Sequence, residues 1–275
     1  MTEDIHKFRD QQYSAGYNND IKMVEINPIE SCNRRCSFCP RSDFKKYPNT
    51  KNKISIETME NISRKLKDIN LNGWVSFVGF GEPLLHFNLE ELIFITKKYN
   101  KTVSIEVNTN GDYLTPERIF NLYKSGCTNI TVSMYDEDIT NYIDNLKGDI
   151  PINIIYRHHY DIIKNYNLKL VNRSNITYGD EILNLNNPCY LPFYKLFIDW
   201  NGDVLPCAND WSRTVKFGNI NSQSIEDILT SNSSLEFKKS LSSGTRNQLP
   251  CSKCNACGTI RGEQEFKNFK LRYNL

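Results

Sequence analysis

The sequence predicts an α/β protein, an incomplete barrel of five or six strand–helix units with a small domain appended at the C-terminus. Three observations carry this expectation. Strand-like and helix-like apolar patterns alternate from about residue 21 to residue 160, which implies right-handed βαβ units and a parallel sheet. About five such units fit that length, too few for an eight-fold barrel. Beyond about residue 165 the alternation stops, and Asn201-Gly202 between two apolar runs signals a hairpin. The expected division is a polar, turn-rich lead-in over 1–20, the barrel over 21–165 and the appended domain over 166–275.

Residues 22–27 (KMVEIN) read as the first strand, ending just before the first cysteines. Residues 55–69 place apolar side chains at helical spacing, with Glu57 and Glu60 in the early turns. Residues 74–80 (WVSFVGF) read as a buried strand, 88–99 as a helix and 102–108 as a strand. The next helix opens at Thr115, with Pro116 in its first position and Gly126 at its end. A strand over 129–135, a weak helix over 137–146 and a strand over 152–157 complete the barrel. In the appended domain, 193–200 and 203–206 flank the hairpin turn. Residues 224–229, 234–241 and 263–273 follow as helical patterns.

Of the 275 residues, 39% are hydrophobic and 24% charged, which excludes disorder for most of the chain. Thirty-four Lys and Arg balance 32 Asp and Glu, so charge makes no case for nucleic acid or an anionic membrane surface as partner. The opening Met1-Thr2-Glu3-Asp4 lacks the basic and apolar run of a secretory signal. No apolar stretch approaches the roughly 18 residues that span a bilayer. The expected location is the cytoplasm, where thiols stay reduced, so the nine cysteines need a reason other than disulfides.

Cys32, Cys36 and Cys39 have the spacing C-x3-C-x2-C. Three thiolates on one tight loop suit three corners of a cubane iron–sulfur cluster and leave the fourth iron open for another ligand. A zinc site is the competing reading, although a structural zinc wants four closed ligands. After the second strand comes Gly79-Phe80-Gly81-Glu82-Pro83. A glycine at 81 permits close backbone approach, and a carboxylate at 82 suits a cationic ligand group.

These residues resemble the radical S-adenosylmethionine (SAM) enzymes. Cys32, Cys36 and Cys39 match the hallmark spacing, directly after the first strand, and Phe38 matches the aromatic beside the adenine. Gly81-Glu82-Pro83 resembles the GGEP motif, with Phe80 standing where that motif has its first Gly and Gly79 one residue earlier. The resemblance implies a partial TIM-like (βα)5-6 barrel. It also implies a 4Fe–4S cluster whose open iron chelates SAM, and a 5′-deoxyadenosyl radical that takes a hydrogen atom from substrate. By the same analogy Glu82 accepts from the SAM ammonium, Asn108 and Ser133 lie at the cofactor with Ser133 near the ribose, and Arg157 pairs with the SAM carboxylate. As residues alone, Arg157 is equally a strand-end surface residue and Asp136 a helix cap.

Cys189, Cys207, Cys251 and Cys254 form C-x17-C-x43-C-x2-C. Four thiolates close a complete cluster; a four-thiolate zinc site is the alternative. With the hairpin between the first two, the pattern resembles the SPASM and shorter Twitch auxiliary-cluster domains. It looks most like the Twitch-type aminocyclitol dehydrogenases, with one auxiliary 4Fe–4S cluster. Cys257 is left as a spare ligand, a buried thiol or a hydrogen-atom donor, and Cys127 as a core thiol.

The implied chemistry is oxidation of a secondary alcohol of a sugar, polyol or aminocyclitol, with the auxiliary cluster taking the electron and a flavodoxin or ferredoxin as reductant. Arg173 and Asp210 are the candidate base or substrate clamp, or else an ordinary surface ion pair. An epimerase with Cys257 as hydrogen donor, a peptide-modifying maturase and a non-enzymatic metal-stapled module are the competing readings.

Overall fold

The computed structural model describes residues 20–136, 138–159, 171–174, 176 and 186–275. The expected lead-in, apart from Asp20, lies outside the described residues. Five strands follow one another in parallel: β1 (Met23–Ile26), β2 (Trp74–Phe77), β3 (Ser104–Thr109), β4 (Asn129–Met134) and β5 (Asn153–His158). Between them lie α1 (Ile56–Asp68), α2 (Leu89–Tyr99), α3 (Pro116–Ser125) and α4 (Thr140–Lys147). The C-terminal part holds α5 (Leu191–Tyr194), β6 (Lys195–Ile198), β7 (Asp203–Leu205), β8 (Gly218–Asn219), α6 (Ile225–Thr230), α7 (Asn232–Ser242) and α8 (Glu263–Arg272).

Local chemistry sets the helix ends. Ser55 caps α1 by accepting from the Thr58 N–H, and Thr115 caps α3 by accepting from the Arg118 N–H. Gly126 closes α3 in the left-handed conformation, φ 104°. Ser224 and Asp227 form a reciprocal capping box on α6. Helix α1 buries Met59, Ile62 and Leu66, three apolar positions on one face, against the sheet core. The strand interiors are buried along their whole length in β1, β2 and β4, as expected of a sheet covered on both faces.

Strand order in the one eight-stranded sheet is β5-β4-β3-β2-β1-β6-β7-β8. The appended strands therefore do not make a sheet of their own. β6 lies parallel to β1, register Met23 to Lys195, and β7 and β8 continue antiparallel. Six parallel strands make the incomplete barrel. Asn27, fully buried at the end of β1, ties this junction together. Its backbone N–H donates to Ile198 O (2.8 Å), its Nδ2 to Asp199 Oδ1 (2.7 Å), and its Oδ1 accepts from the Phe80 N–H (2.9 Å). Glu106, also fully buried, accepts from Trp74 Nε1, Ser76 Oγ and Thr131 Oγ1 across β2, β3 and β4.

Three expectations shift at their edges. The strand expected over 74–80 stops at Phe77, because the next residues turn to reach Asn27 and the first cysteine loop. The helix expected over 137–146 begins at Thr140, whose N–H is held by Asp138 Oδ1 at 2.9 Å. The strand expected over 193–200 begins at Lys195, since Pro192 opens a helical turn before it.

Candidate active site

The parallel strands point their C-terminal ends at one cavity of about 380 Å³. Of the residues singled out in the sequence, Cys32, Cys36, Cys39, Phe38, Gly79, Gly81, Glu82, Asn108, Ser133, Arg157 and Arg173 line it. Pro83 does not; it opens a short 3-10 turn that begins at the Glu82 cap. The cysteine loop is braced from both sides. Cys32 exchanges two hydrogen bonds with Asn49, and Ser31 Oγ donates to Thr50 O. Arg34 pairs with Asp112 at 2.5 Å and with Asp136 at 2.7 Å. Asp136 is thus an ion-pair partner of the cysteine loop and not a helix cap.

Gly79 and Gly81 are required by close approach. A Cβ on Gly79 would lie 2.5 Å from Asn27 Oδ1, and one on Gly81 would lie 2.2 Å from Ile29 O. The backbone neighbour at Gly81 is therefore the segment entering the cysteine loop, which the Glu82 N–H also joins by donating to Ser31 O (2.8 Å). Glu82 is 3% exposed. Burial pushes its carboxyl pKa up, opposed by donors from Thr109 Oγ1 (2.6 Å), Asn110 N (2.9 Å) and Leu84 N (3.1 Å). Beside it, Asn108 gives its Nδ2 to Ser76 Oγ, while its Oδ1 is buried with no hydrogen-bond partner among the described residues. An orphaned acceptor and a buried carboxylate in one cavity suit a ligand that brings donors.

Several lining residues were not legible in the sequence. Tyr135 stacks on His159 (centroids 5.2 Å apart) and leans on Phe38 (5.1 Å). Burial raises the Tyr135 phenol to about 12. Arg41, 4% exposed, donates to Phe80 O and Pro48 O. Trp211 reaches the same cavity from the C-terminal part, and Phe80 packs on it (4.7 Å) and on Phe197 (5.1 Å). The aromatic at 80 is thereby accounted for: its ring fills the seam between the barrel loops and the appended loops. Only chain-distant contacts assemble this group, so local spacing carried no sign of it.

Cys189, Cys207, Cys251 and Cys254 line a second, narrow cavity together with Pro206, Pro250, Leu191 and Arg246. Burial and the other three cysteines push the Cys207 thiol well above its ordinary pKa. Arg246, 2% exposed, donates to the carbonyls of Asn187, Pro188, Ala256 and Cys257 and so fixes the loops on either side. Cys257 is exposed, with its Sγ 3.2 Å from Thr259 Oγ1, and lines neither cysteine cavity. Asp210 is 1% exposed and accepts from the Thr214 N–H, Thr214 Oγ1 and the Val215 N–H; it holds its own loop and does not line the first cavity. Arg173 does line it, bonded to Asn209 Oδ1 at 2.8 Å. Cys127 is buried, with its Sγ 3.1 Å from Asn129 O.

Both donor sets are all sulfur. Among the described residues no three His, Cys, Asp or Glu side chains converge as ligands of a single metal ion. A cubane asks for no such convergence, because each thiolate binds a different iron. The donor chemistry fits iron–sulfur clusters: three thiolates in an open cavity, four in a closed one.

Fold and cavity together define a class, an α/β protein with a three-cysteine loop suited to a cluster with one vertex free, at the C-terminal ends of parallel strands. Comparison with known proteins agrees. The radical SAM superfamily model matches residues 26–147, and the SPASM iron–sulfur cluster-binding domain matches 189–258. The chain is 28% identical over 249 residues to the S-adenosyl-L-methionine-dependent 2-deoxy-scyllo-inosamine dehydrogenase of Niallia circulans, covering 89% of this chain and 96% of that one. It is 25% identical over 266 residues to a GTP 3′,8-cyclase of Clostridium acetobutylicum, covering 89% and 79%. The crystal structure of BtrN in complex with AdoMet and 2-DOIA superposes with a TM-score of 0.76 at 27% identity, covering 88% of this chain and 96% of that one. AdoMet-bound anSMEcpe, at 15% identity and a TM-score of 0.57, shares the fold. Residues 26–147 are thus a radical SAM domain and residues 189–258 a SPASM domain. The protein is a radical SAM enzyme, with a SAM-binding 4Fe–4S cluster and an auxiliary iron–sulfur cluster.

Proposed function

We propose that the enzyme oxidises a secondary alcohol of a small sugar, polyol or aminocyclitol to a ketone. The observation that carries this reading is the pairing of an open three-cysteine cavity with a closed four-cysteine one. When bound, the first cluster and SAM would supply the radical that takes a hydrogen atom from the carbinol carbon, and the auxiliary cluster would take up the electron left behind, with the hydroxyl proton released to solvent. Cys32, Cys36 and Cys39 hold the first cluster and Cys189, Cys207, Cys251 and Cys254 the second. Glu82 receives the SAM ammonium, Arg157 its carboxylate, Ser133 its ribose and Phe38 its adenine. Arg173 clamps the substrate. The boundary near residue 165 belongs to the same reading and is supported by family matches on either side of it. A flavodoxin or ferredoxin supplies electrons, and the setting is cytosolic.

Support comes from the dehydrogenase relative, whose length the chain nearly spans. The epimerase reading needs a hydrogen-atom donor at the substrate, and the exposed Cys257 lies off the cavity that would hold it. The test is anaerobic reconstitution with SAM, dithionite and candidate polyols. The expected result is 5′-deoxyadenosine together with a product two daltons lighter. Solvent hydrogen incorporated at unchanged mass class, and abolished in Cys257→Ala, would replace oxidation by epimerisation.

A further inference from the structure

The charge in the first cavity is lopsided. Among the described residues that line it, Arg34, Arg41, Arg157 and Arg173 are cationic, and Glu82 is the one carboxylate. Arg34 is neutralised by Asp112 and Asp136. Arg41 is committed to backbone carbonyls. Arg173 differs from both. Arg41 spends Nε and Nη1 on the carbonyls of Phe80 and Pro48. Among the described residues the Arg173 side chain is engaged through Nη1 alone, by the neutral amide of Asn209, so its charge and the rest of its donors face the cavity. The neighbouring imidazole registers that field. Burial first, then Arg157 and Arg173, press the His159 pKa down to about 4.

The backbone around Arg173 is strained. Arg173 and Ser174 take φ values of 48° and 59°, a left-handed pair that non-glycine residues adopt only when the surroundings enforce it. The enforcing groups belong to the auxiliary loops. The Asn172 N–H donates to Asn255 Oδ1 (2.7 Å), Asn172 Nδ2 to Lys253 O (2.9 Å) and Ser174 Oγ to Asn209 O (3.2 Å). Strain held in place by four-cysteine loops delivers one guanidinium to the cavity wall.

We infer that the substrate carries an oxyanion, a carboxylate or a phosphate, bound by Arg173, so that the alcohol oxidised belongs to an acidic sugar or polyol. This inference rests on the dehydrogenase reading above. A guanidinium with one Nη bound to an amide still presents a planar donor set that matches an oxyanion. An amino sugar would bring an ammonium to a like charge. In that reading Glu82 serves the SAM ammonium, and no second carboxylate among the described lining residues would receive the sugar's amine. Asn209 is the companion determinant. A carboxylate at 209 would cancel Arg173 and turn the subsite toward amines.

The experiment uses reconstituted enzyme with SAM and five probes: a neutral inositol, an aminodeoxyinositol, an inositol monophosphate, and a uronate with its parent neutral hexose as the matched control. Equilibrium binding is read without reductant, and deoxyadenosine and carbonyl product with it. At least one of the two acids is expected to bind about tenfold or more tighter than its neutral control, with the amine weakest. Arg173→Gln should erase that preference, Arg173→Lys should keep part of it, and Asn209→Asp should raise amine binding relative to acid. The uronate and phosphate arms identify which oxyanion fits. Equal or better binding of the amine by the wild-type enzyme overturns the inference, as does a preference for acids that survives Arg173→Gln. Tight acid binding that yields no ketone keeps the anion subsite and overturns the dehydrogenase reading instead.

Discussion

The two cysteine sites use the same ligand atom to opposite ends. Cys32, Cys36 and Cys39 sit half-buried on a loop braced by Asn49, Asp112 and Asp136, beside a cavity of about 380 Å³. Cys189, Cys251 and Cys254 are buried and Cys207 nearly so, and Arg246 laces the surrounding backbone shut. The difference lies in what surrounds the sulfur. The first wall leaves room for a further ligand beside its three thiols, whereas the second, built of Leu191, three prolines, Ser174, Asn209 and the buried Arg246, closes narrowly on its four.

The comparison can be broken most directly at the ligands. Cys39→Ala is expected to abolish deoxyadenosine release while the brown absorbance of the auxiliary cluster persists. Cys207→Ala should do the reverse, keeping SAM cleavage and losing ketone. Iron content and chromatography of both variants check this, and identical behaviour would erase the distinction between the sites. Next in size is Arg246→Met. It leaves one buried and three partly buried carbonyls without their donor and should cost on the order of 2 kcal/mol in apo-protein unfolding, with the auxiliary cluster lost before the first. Denaturant melts followed by iron analysis measure both.

Glu82→Gln sharpens the open side. The amide keeps an acceptor for Thr109 or Asn110 but removes the charge offered to an ammonium, so SAM affinity should fall about tenfold to a hundredfold by calorimetry. The auxiliary site should not change. The smallest effect concerns pH. The folded pKa of His159 lies near 4, below its unfolded value, so the unfolded chain binds the extra proton. Stability from this group is complete above about pH 6.5 and is lost as pH falls toward 4. With a discount for its partial exposure the loss is about 1–2 kcal/mol. His159→Gln should flatten that part of the pH–stability curve, and an unchanged slope would count against the buried cationic end of the cavity.

How much of this was legible in sequence follows from how local each signal is. The cysteine loop, Glu82 and the strand-end Ser133 are fixed by short spacings after predicted strands, and they meet in one cavity. The helices with Ser55 and Thr115 caps were likewise readable, because capping acts within one turn. Arg41, Tyr135, His159 and Trp211 were not. Each is an ordinary residue type at an ordinary position, brought to the cavity by contacts between distant segments. Asp210 misled for the same reason. Its place beside Cys207 suggests an outward-facing base, but the neighbouring Thr214 and Val215 donors turn it inward.

The parallel seating of β6 against β1 has a consequence for how the polypeptide can be cut. The seam there is main-chain ladder, clasped by Asn27, so the first strand of the barrel borrows its outer neighbour from the far end of the chain. A truncated product ending near residue 165 would present Met23–Ile26 as a bare strand edge, with Glu25 stripped of its Lys195 partner, open to pairing with its own kind. Such a fragment should precipitate unless residues 195–198 are returned to it as a separate peptide.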